Sequence, residues 1–209
     1  MKDPYLYSQT TTLVNLFKEQ DEQHLDEIEA NYTGLRIRQL IDNPIDGPFD
    51  FGHLCRVHRF IFQDIFYWAG LPRIINIEKP EAALGGISIE YSDVQNIQID
   101  GEKACSKMNK TIWKTLSLEQ KTENFAKCMA EIWKVHPFRE GNTRAVITFC
   151  CDFAEKNDFP LNRELFKDNS LYMRRALVAA SAVFHDLGDL SQQKYLIGIM
   201  LDAIQSNKI

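Results

Sequence analysis

Lys121-Thr-Glu-Asn-Phe-Ala-Lys-Cys-Met-Ala-Glu-Ile-Trp-Lys-Val-His136-Pro-Phe-Arg-Glu-Gly-Asn-Thr-Arg144 joins one apolar helix to another through a loop dense in ionisable side chains. Phe125, Met129, Ile132 and Trp133 recur at helical spacing, so residues 121–135 predict an amphipathic helix with one face toward a core. Pro137 stops that helix and leaves His136 at its C-terminal end. Phe138-Arg-Glu-Gly-Asn142 is a short loop, and a second apolar helix is predicted over Thr143–Lys156. Free N–H groups at a helix N-terminus favour phosphate, and Gly141 lets a ligand approach the chain closely. Around this loop stand a histidine that can gain or release a proton near neutral pH, a carboxylate suited to Mg²⁺, an amide and two arginines. The set suits phosphoryl chemistry, and it also occurs in structural ion networks, so residue types alone do not separate the two.

Outward from this segment the chain reads as helix after helix. Leu25, Ile28, Tyr32, Leu35 and Leu40 recur at helical spacing, and residues 13–40 predict two helices. Asp42-Asn-Pro-Ile-Asp-Gly-Pro48 is a turn. A further helix carries Leu54, Val57, His58, Ile61, Ile65 and Trp68 on one face, and Gly70-Leu-Pro72 ends it. Between Arg73 and Tyr91 the pattern changes to β-branched runs, Ile74-Ile-Asn-Ile77 and Ile87-Ser-Ile-Glu-Tyr91, separated by Gly85-Gly86. These predict a small hairpin or flap. Helices follow over 97–108, 163–182 and 192–204. The expected class is mainly α: a single-domain helical bundle over residues 1–209 with a small β-hairpin flap, its core at about 25–180 and a C-terminal helix at about 192–204.

Composition narrows the function. With 209 residues, 44% hydrophobic and 25% charged, the chain has enough apolar material for a real core and none of the bias of disordered or collagenous sequences. A net charge of -5 gives no general attraction to nucleic acid. No stretch approaches the ~20 apolar residues of a membrane span, and the N-terminus lacks a signal core, so a cytoplasmic location is expected. Five cysteines without C-x-x-C spacing read as reduced, buried thiols, Cys150 and Cys151 as core. His24, His53, His58 and His185 lack metal-ligand spacing and read as packed or solvated side chains. Arg174-Arg175 reads first as solvated charge, and residues 18–29 as an exposed helix start and face.

The string His-Pro-Phe-x-Glu-Gly-Asn-x-Arg resembles the signature of the Fic family of protein adenylyltransferases. Phe66-Tyr-Trp-Ala-Gly70, Arg73 and Ile75-Asn-Ile77 extend the resemblance over about residues 25–180. It implies a Fic-type bundle and a bacterial toxin-like nucleotidyltransferase that uses ATP as substrate and Mg²⁺ as cofactor to place AMP on a Tyr, Thr or Ser hydroxyl of a target protein. His136 would be the general base. Glu140 would hold Mg²⁺ on the phosphates. The backbone at Arg139, with Glu140, Gly141, Asn142, Thr143 and Arg144, would cradle the nucleotide, and Phe138 would anchor the loop. The flap at 73–91 would dock the target protein by main-chain pairing.

Two departures qualify what the resemblance implies. Thr143 stands where the family often has glycine. Ile147 stands where it has a second arginine, usually on the γ-phosphate, a charge-assisted contact worth on the order of 1.5–3 kcal/mol. Arg174 and Arg175 are candidates to replace it. Many family members also carry an inhibitory Ser/Thr-x-x-x-Glu-Gly/Asn helix. The nearest match is Thr115-Leu-Ser-Leu-Glu119 followed by Gln120, so restraint by an internal glutamate is not expected; a small inhibitory protein in trans, or intrinsic slowness, would take its place. Association into a homo-oligomer is left open. The alternatives are transfer of another nucleotide or phosphate-bearing group, removal of an AMP adduct, and a catalytically weak interaction protein on the same fold.

Overall fold

Helix α4, Leu118–Val135, is the element on which the others converge. Ser117 and Gln120 close a reciprocal capping box at its start, which satisfies two of the N–H groups a helix end leaves free. Against it pack α3 (Ile97–Lys110), α5 (Asn142–Lys156), α7 (Ser170–Ala180) and α8 (Lys194–Ser206). Helix α2 (Phe51–Phe62) lies on α5, and α1 (Glu22–Asp42) lies on α2. The short α6 (Arg163–Asp168) leads into α7. The computed structural model describes residues 3–206. The core runs from Tyr5 to Ile204, and α4 and α5 bury Phe125, Met129, Trp133, Val146, Phe149 and Phe153 within it. Trp113, Phe125, Phe153 and Phe159 pack edge-on and stacked at one end.

The mainly helical class holds, and several boundaries differ from expectation for local reasons. Where two helices are predicted over residues 13–40, there is one, α1, which begins at Glu22. The Asn15 carboxamide donates to the Leu13 and Glu19 carbonyls and accepts from the Glu19 N–H, so it closes a turn in place of a helix. The helix begins only after Asp21, whose carboxylate caps the His24 N–H at 2.8 Å. Helix α2 stops at Phe62, short of Ile65 and Trp68. Those two remain buried through a chain of turns that ends in Gly70, at φ 80°. The predicted helix over 163–182 is two, because the Asn169 amide and its side chain both turn back to the Leu165 carbonyl.

The flap at 73–91 is extended but not a ladder. A single antiparallel bridge joins Pro80 to Ser88, and a 3₁₀ turn over Ala82–Leu84 fills the bend. Proline has no N–H to continue a ladder, and the buried Arg73 side chain takes the Ile75 and Ser92 carbonyls for itself. Among the described residues the paired strands are β1 (Val183–Phe184) and β2 (Gly188–Asp189), a hairpin between α7 and α8. The cysteines carry no disulfide, and all but the half-buried Cys55 are buried. No described helix is long and apolar enough to cross a membrane.

Candidate active site

The loop between α4 and α5 is fixed before any ligand arrives. His136 caps α4 in the left-handed region, φ 48°, and turns the chain out of the helix. The buried Arg73 holds that turn: its Nε donates to the His136 carbonyl at 3.0 Å, and its own N–H donates to the Pro137 carbonyl at 2.7 Å. Asn142 bridges the loop, accepting the Phe138 N–H at 2.9 Å and donating to the Phe138 carbonyl at 2.8 Å. Gly141 caps α5 at φ 80°, and a Cβ there would lie 2.2 Å from the Phe62 ring. Only glycine meets both conditions.

His58 is a packed side chain, as expected, and also a brace. Its Nδ1 accepts the Gly70 N–H at 2.9 Å, so its Nε2 carries the proton and donates to the Glu140 carbonyl 3.0 Å away. Burial pushes this imidazole down to about 3, so it stays neutral and keeps that tautomer. Phe138 stacks on it at 3.7 Å.

On this frame the reactive side chains have distinct environments. His136 is 1% exposed, and neither ring nitrogen has a partner among the described residues. Tyr91 stacks on the imidazole at 3.9 Å, and Trp133 meets it edge-on at 5.2 Å. Burial, helped by the cations Lys79, Arg174 and Arg73, holds its pKa well below the ordinary imidazole range. It is therefore neutral and able to accept a proton. Glu140 accepts the Gly141 N–H on Oε1 at 2.9 Å and meets Lys79 Nζ at 2.7 Å from Oε2. Burial alone would raise this carboxyl, but Lys79, the Gly141 N–H and Arg144 outweigh it and hold it at about 2.

A cavity of about 320 Å³ joins His136 and the run Glu140–Arg144 to Ser170, Leu171 and Arg174 of α7. The fold thus brings to this cavity every motif residue expected in catalysis or nucleotide binding except Arg139, whose guanidinium turns to Asp3 at 2.9 Å, while Phe138 is buried in the core as the expected anchor. Thr143 accepts the Trp133 indole N–H at 2.9 Å. Arg144 pairs with Glu29 of α1, donates to Thr33 at 3.2 Å and covers the Phe62 ring. Glu119, in the nearest match to an inhibitory motif, lies exposed in the first turn of α4. An acidic side chain does reach the motif from a helix, but it is Glu29, which does not itself line the cavity.

Lys79, Glu81, Tyr91 and Glu29 are the side chains that sequence reading missed. The first two sit in Glu78-Lys-Pro-Glu81, between the two β-branched runs of the flap. Glu29 carried a usable signal: with Leu25 and Thr33 it falls on one face at i, i+4 spacing, and that face is buried. Among the described residues no group of three or more His, Cys, Asp or Glu could hold a metal alone. An ionised Glu140 with one oxygen already drawing a cation is the donor that Mg²⁺ uses when phosphates complete its shell. The residues fit a metal shared with a polyphosphate.

Residues 48–154 match the Fic/DOC family. The Sinorhizobium fredii protein y4lH, described as a probable protein adenylyltransferase, is 34% identical over 149 residues, covering 71% of this chain and 73% of that protein. The protein adenylyltransferase VbhT of Bartonella schoenbuchensis is 26% identical over 162 residues, 77% of this chain; the match spans about a third of its length, 32%. Among solved structures, the N-terminal Fic domain of the VirB-translocated effector Bep8 from Bartonella sp. 1-1C superposes with a TM-score of 0.79, covering 98% of this chain and 96% of that one. At 21% identity that likeness speaks for the fold. By sequence match and by the matching motif around His136, the chain belongs to the Fic/DOC family.

Proposed function

We propose that this protein transfers AMP from ATP to a hydroxyl of a target protein. The observation that carries the reading is a neutral, buried His136 beside an ionised Glu140 at the N-terminus of α5, both lining one cavity. A ring nitrogen of His136 accepts the proton of the attacking hydroxyl, the hydroxyl oxygen bonds to the α-phosphorus, and the bond from that phosphorus to the pyrophosphate oxygen breaks. Free N–H groups at the α5 N-terminus would face the phosphates, with Arg144 beside them on Glu29, and Glu140 would hold Mg²⁺, which would supply charge neutralisation for the pyrophosphate. Several relatives bear the name protein adenylyltransferase, and a structural neighbour, BepC from Bartonella tribocorum, is described with bound AMPPNP.

The flap is the place where a target would dock. Among the described residues the N–H groups of Ile75, Asn76, Ile77 and Glu78 have no partner, and they border a groove of about 810 Å³. An extended target segment can pair with that edge and bring its hydroxyl to His136. Ile147 packs against the core and contributes no charge to the cavity, which keeps transfer of another nucleotide as the second reading.

Incubating the protein with Mg²⁺, a cell lysate and each of the four α-labelled nucleotides tests both. Label transferred from ATP and lost by a factor of roughly 10²–10⁴ in His136→Ala is the expected result. Preference for another nucleotide selects the second reading. Absence of label from all four, with the variant and wild type equally folded, overturns the assignment as an enzyme.

A further inference from the structure

The cations around the cavity differ in how firmly they are held. Arg73 is locked to backbone carbonyls, and Arg139 is turned away to Asp3. Arg144 is tied to Glu29 of α1, whose side chain is only 12% exposed. Arg174 is different. It lines the cavity opposite the motif, and although its partner at 2.6 Å, Glu81, is as buried as Glu29, with a side chain 11% exposed, Glu81 belongs to the flap and not to the helical frame. Its sequence neighbour Arg175 is exposed and does not line the cavity.

We infer that Arg174 is the guanidinium that binds the terminal phosphates of the nucleotide, and that Glu81 is the anion it exchanges for them. This rests on the nucleotide-transfer reading above for its choice of ligand. The argument is one of charge. A nucleoside triphosphate brings three to four negative charges into a cavity that Glu140 also lines, so it needs cations that can turn to it without stranding a carboxylate in the helical frame. Arg144 cannot leave Glu29 without doing so. Glu81 is equally buried, but it is carried by the flap and not by a helix of the frame, so it can move out to water with that segment when Arg174 turns to the phosphates. A guanidinium also presents paired N–H donors that match a phosphate edge. The exchange links the two ends of the site: phosphates that claim Arg174 release Glu81, and with it the flap whose edge would receive a target. By linkage, loosening the Glu81 grip strengthens triphosphate binding.

Calorimetric titration of the whole chain with ATP, ADP and AMP, each with Mg²⁺, tests this in the wild type, Arg174→Ala, Arg174→Lys, Glu81→Ala and the Arg174→Ala/Glu81→Ala double variant. Removing one charge-assisted phosphate contact corresponds to about a 10- to 150-fold loss. Arg174→Ala is expected to weaken ATP binding by that factor and to leave AMP binding within about two-fold. Arg174→Lys is expected to recover part of it, because the charge remains but the fork is lost. Glu81→Ala is expected to tighten ATP binding, and the double variant to lose that gain. An unchanged ratio of ATP to AMP affinity in Arg174→Ala, or weaker ATP binding in Glu81→Ala with an unaltered melting transition, overturns the inference while leaving the nucleotide reading intact. No ATP binding by the wild type overturns both.

Discussion

The loop 136–142 and the flap 73–91 face the same cavity and are held by opposite kinds of force. Every turn of the loop is fixed by buried, mostly neutral hydrogen bonds: Asn142 to both polar groups of Phe138, His58 to the Glu140 carbonyl, Arg73 to the carbonyls of His136 and Pro137. The flap has one bridge, a 3₁₀ turn and a run of unpaired N–H groups, and it grips the site through side chains. Lys79 pairs with Glu140, Glu81 with Arg174, and Tyr91 lies on His136. Neutral buried bonds are costly to leave unmade, whereas partly exposed ion pairs are worth little. The difference places preorganisation in the loop and adaptability in the flap, as the proposed transfer from a nucleotide to a protein segment would require.

The comparison is most easily broken at Gly141. Gly141→Ala combines left-handed backbone strain with a Cβ only 2.2 Å from Phe62. It is expected to cost about 2–4 kcal/mol and to lower Tm by roughly 5–15 °C, read by calorimetry or circular dichroism. Asn142→Ala strands the Phe138 N–H and carbonyl in the core and is expected to cost about 1–3 kcal/mol. Stability within 0.5 kcal/mol or so of wild type in both variants would mean that the loop is not braced as described.

The buried imidazoles add a pH dependence with a definite sign. His58 and His136 are neutral in the folded chain, at about 3 for His58, while an unfolded histidine takes up a proton below about 6.5. The unfolded state then binds more protons, so stability is complete above that pH and falls as pH drops toward the folded value. The slope is up to about 1.4 kcal/mol per pH unit for each imidazole. Urea midpoints at pH 7, 6 and 5 measure it, and His58→Gln is expected to flatten the slope by up to one proton. A slope unaltered by that substitution would show that His58 titrates normally.

Lys79→Ala tests the flap side. About a third of the Glu140 side chain is exposed, 33%, so losing its partner is expected to lower stability by about 1 kcal/mol or less. Freed of its competing cation, Glu140 is expected to bind Mg²⁺ with nucleotide more tightly. A stability loss as large as that of Asn142→Ala would erase the distinction between the two regions.

How much of this was legible in the sequence follows the same division. Helices α4 and α5 and the loop between them were readable because apolar periodicity, Pro137 and Gly141 act within a few residues of the structure they cause. The start of α1 was not, because the Asn15 carboxamide replaces a helical turn with bonds that periodicity does not register. In the flap, β-branched runs signalled extension correctly, but whether extended segments pair depends on Arg73, which competes for their carbonyls. The contacts of Lys79 and Glu81 were beyond local reading: their partners lie 61 and 93 residues away, and only the packing of α5 and α7 beside the flap brings them together.

The smallest expected effect is also the most discriminating between packing and polar bonding in the flap. Tyr91 stacks on His136, yet its hydroxyl is buried with no partner among the described residues, and burial pushes its pKa above the ordinary phenol value. An unpaired buried hydroxyl costs free energy, so Tyr91→Phe, which keeps the ring, is expected to leave stability unchanged or raise it by up to about 1 kcal/mol. His136 would stay shielded from water and neutral, because the ring and not the hydroxyl covers it, and the pH dependence of transfer should not move. A destabilised Tyr91→Phe, or a transfer profile shifted in pH, would instead show that the hydroxyl bonds to the imidazole. The flap would then be fixed to the loop by the same kind of buried hydrogen bond that fixes the loop itself.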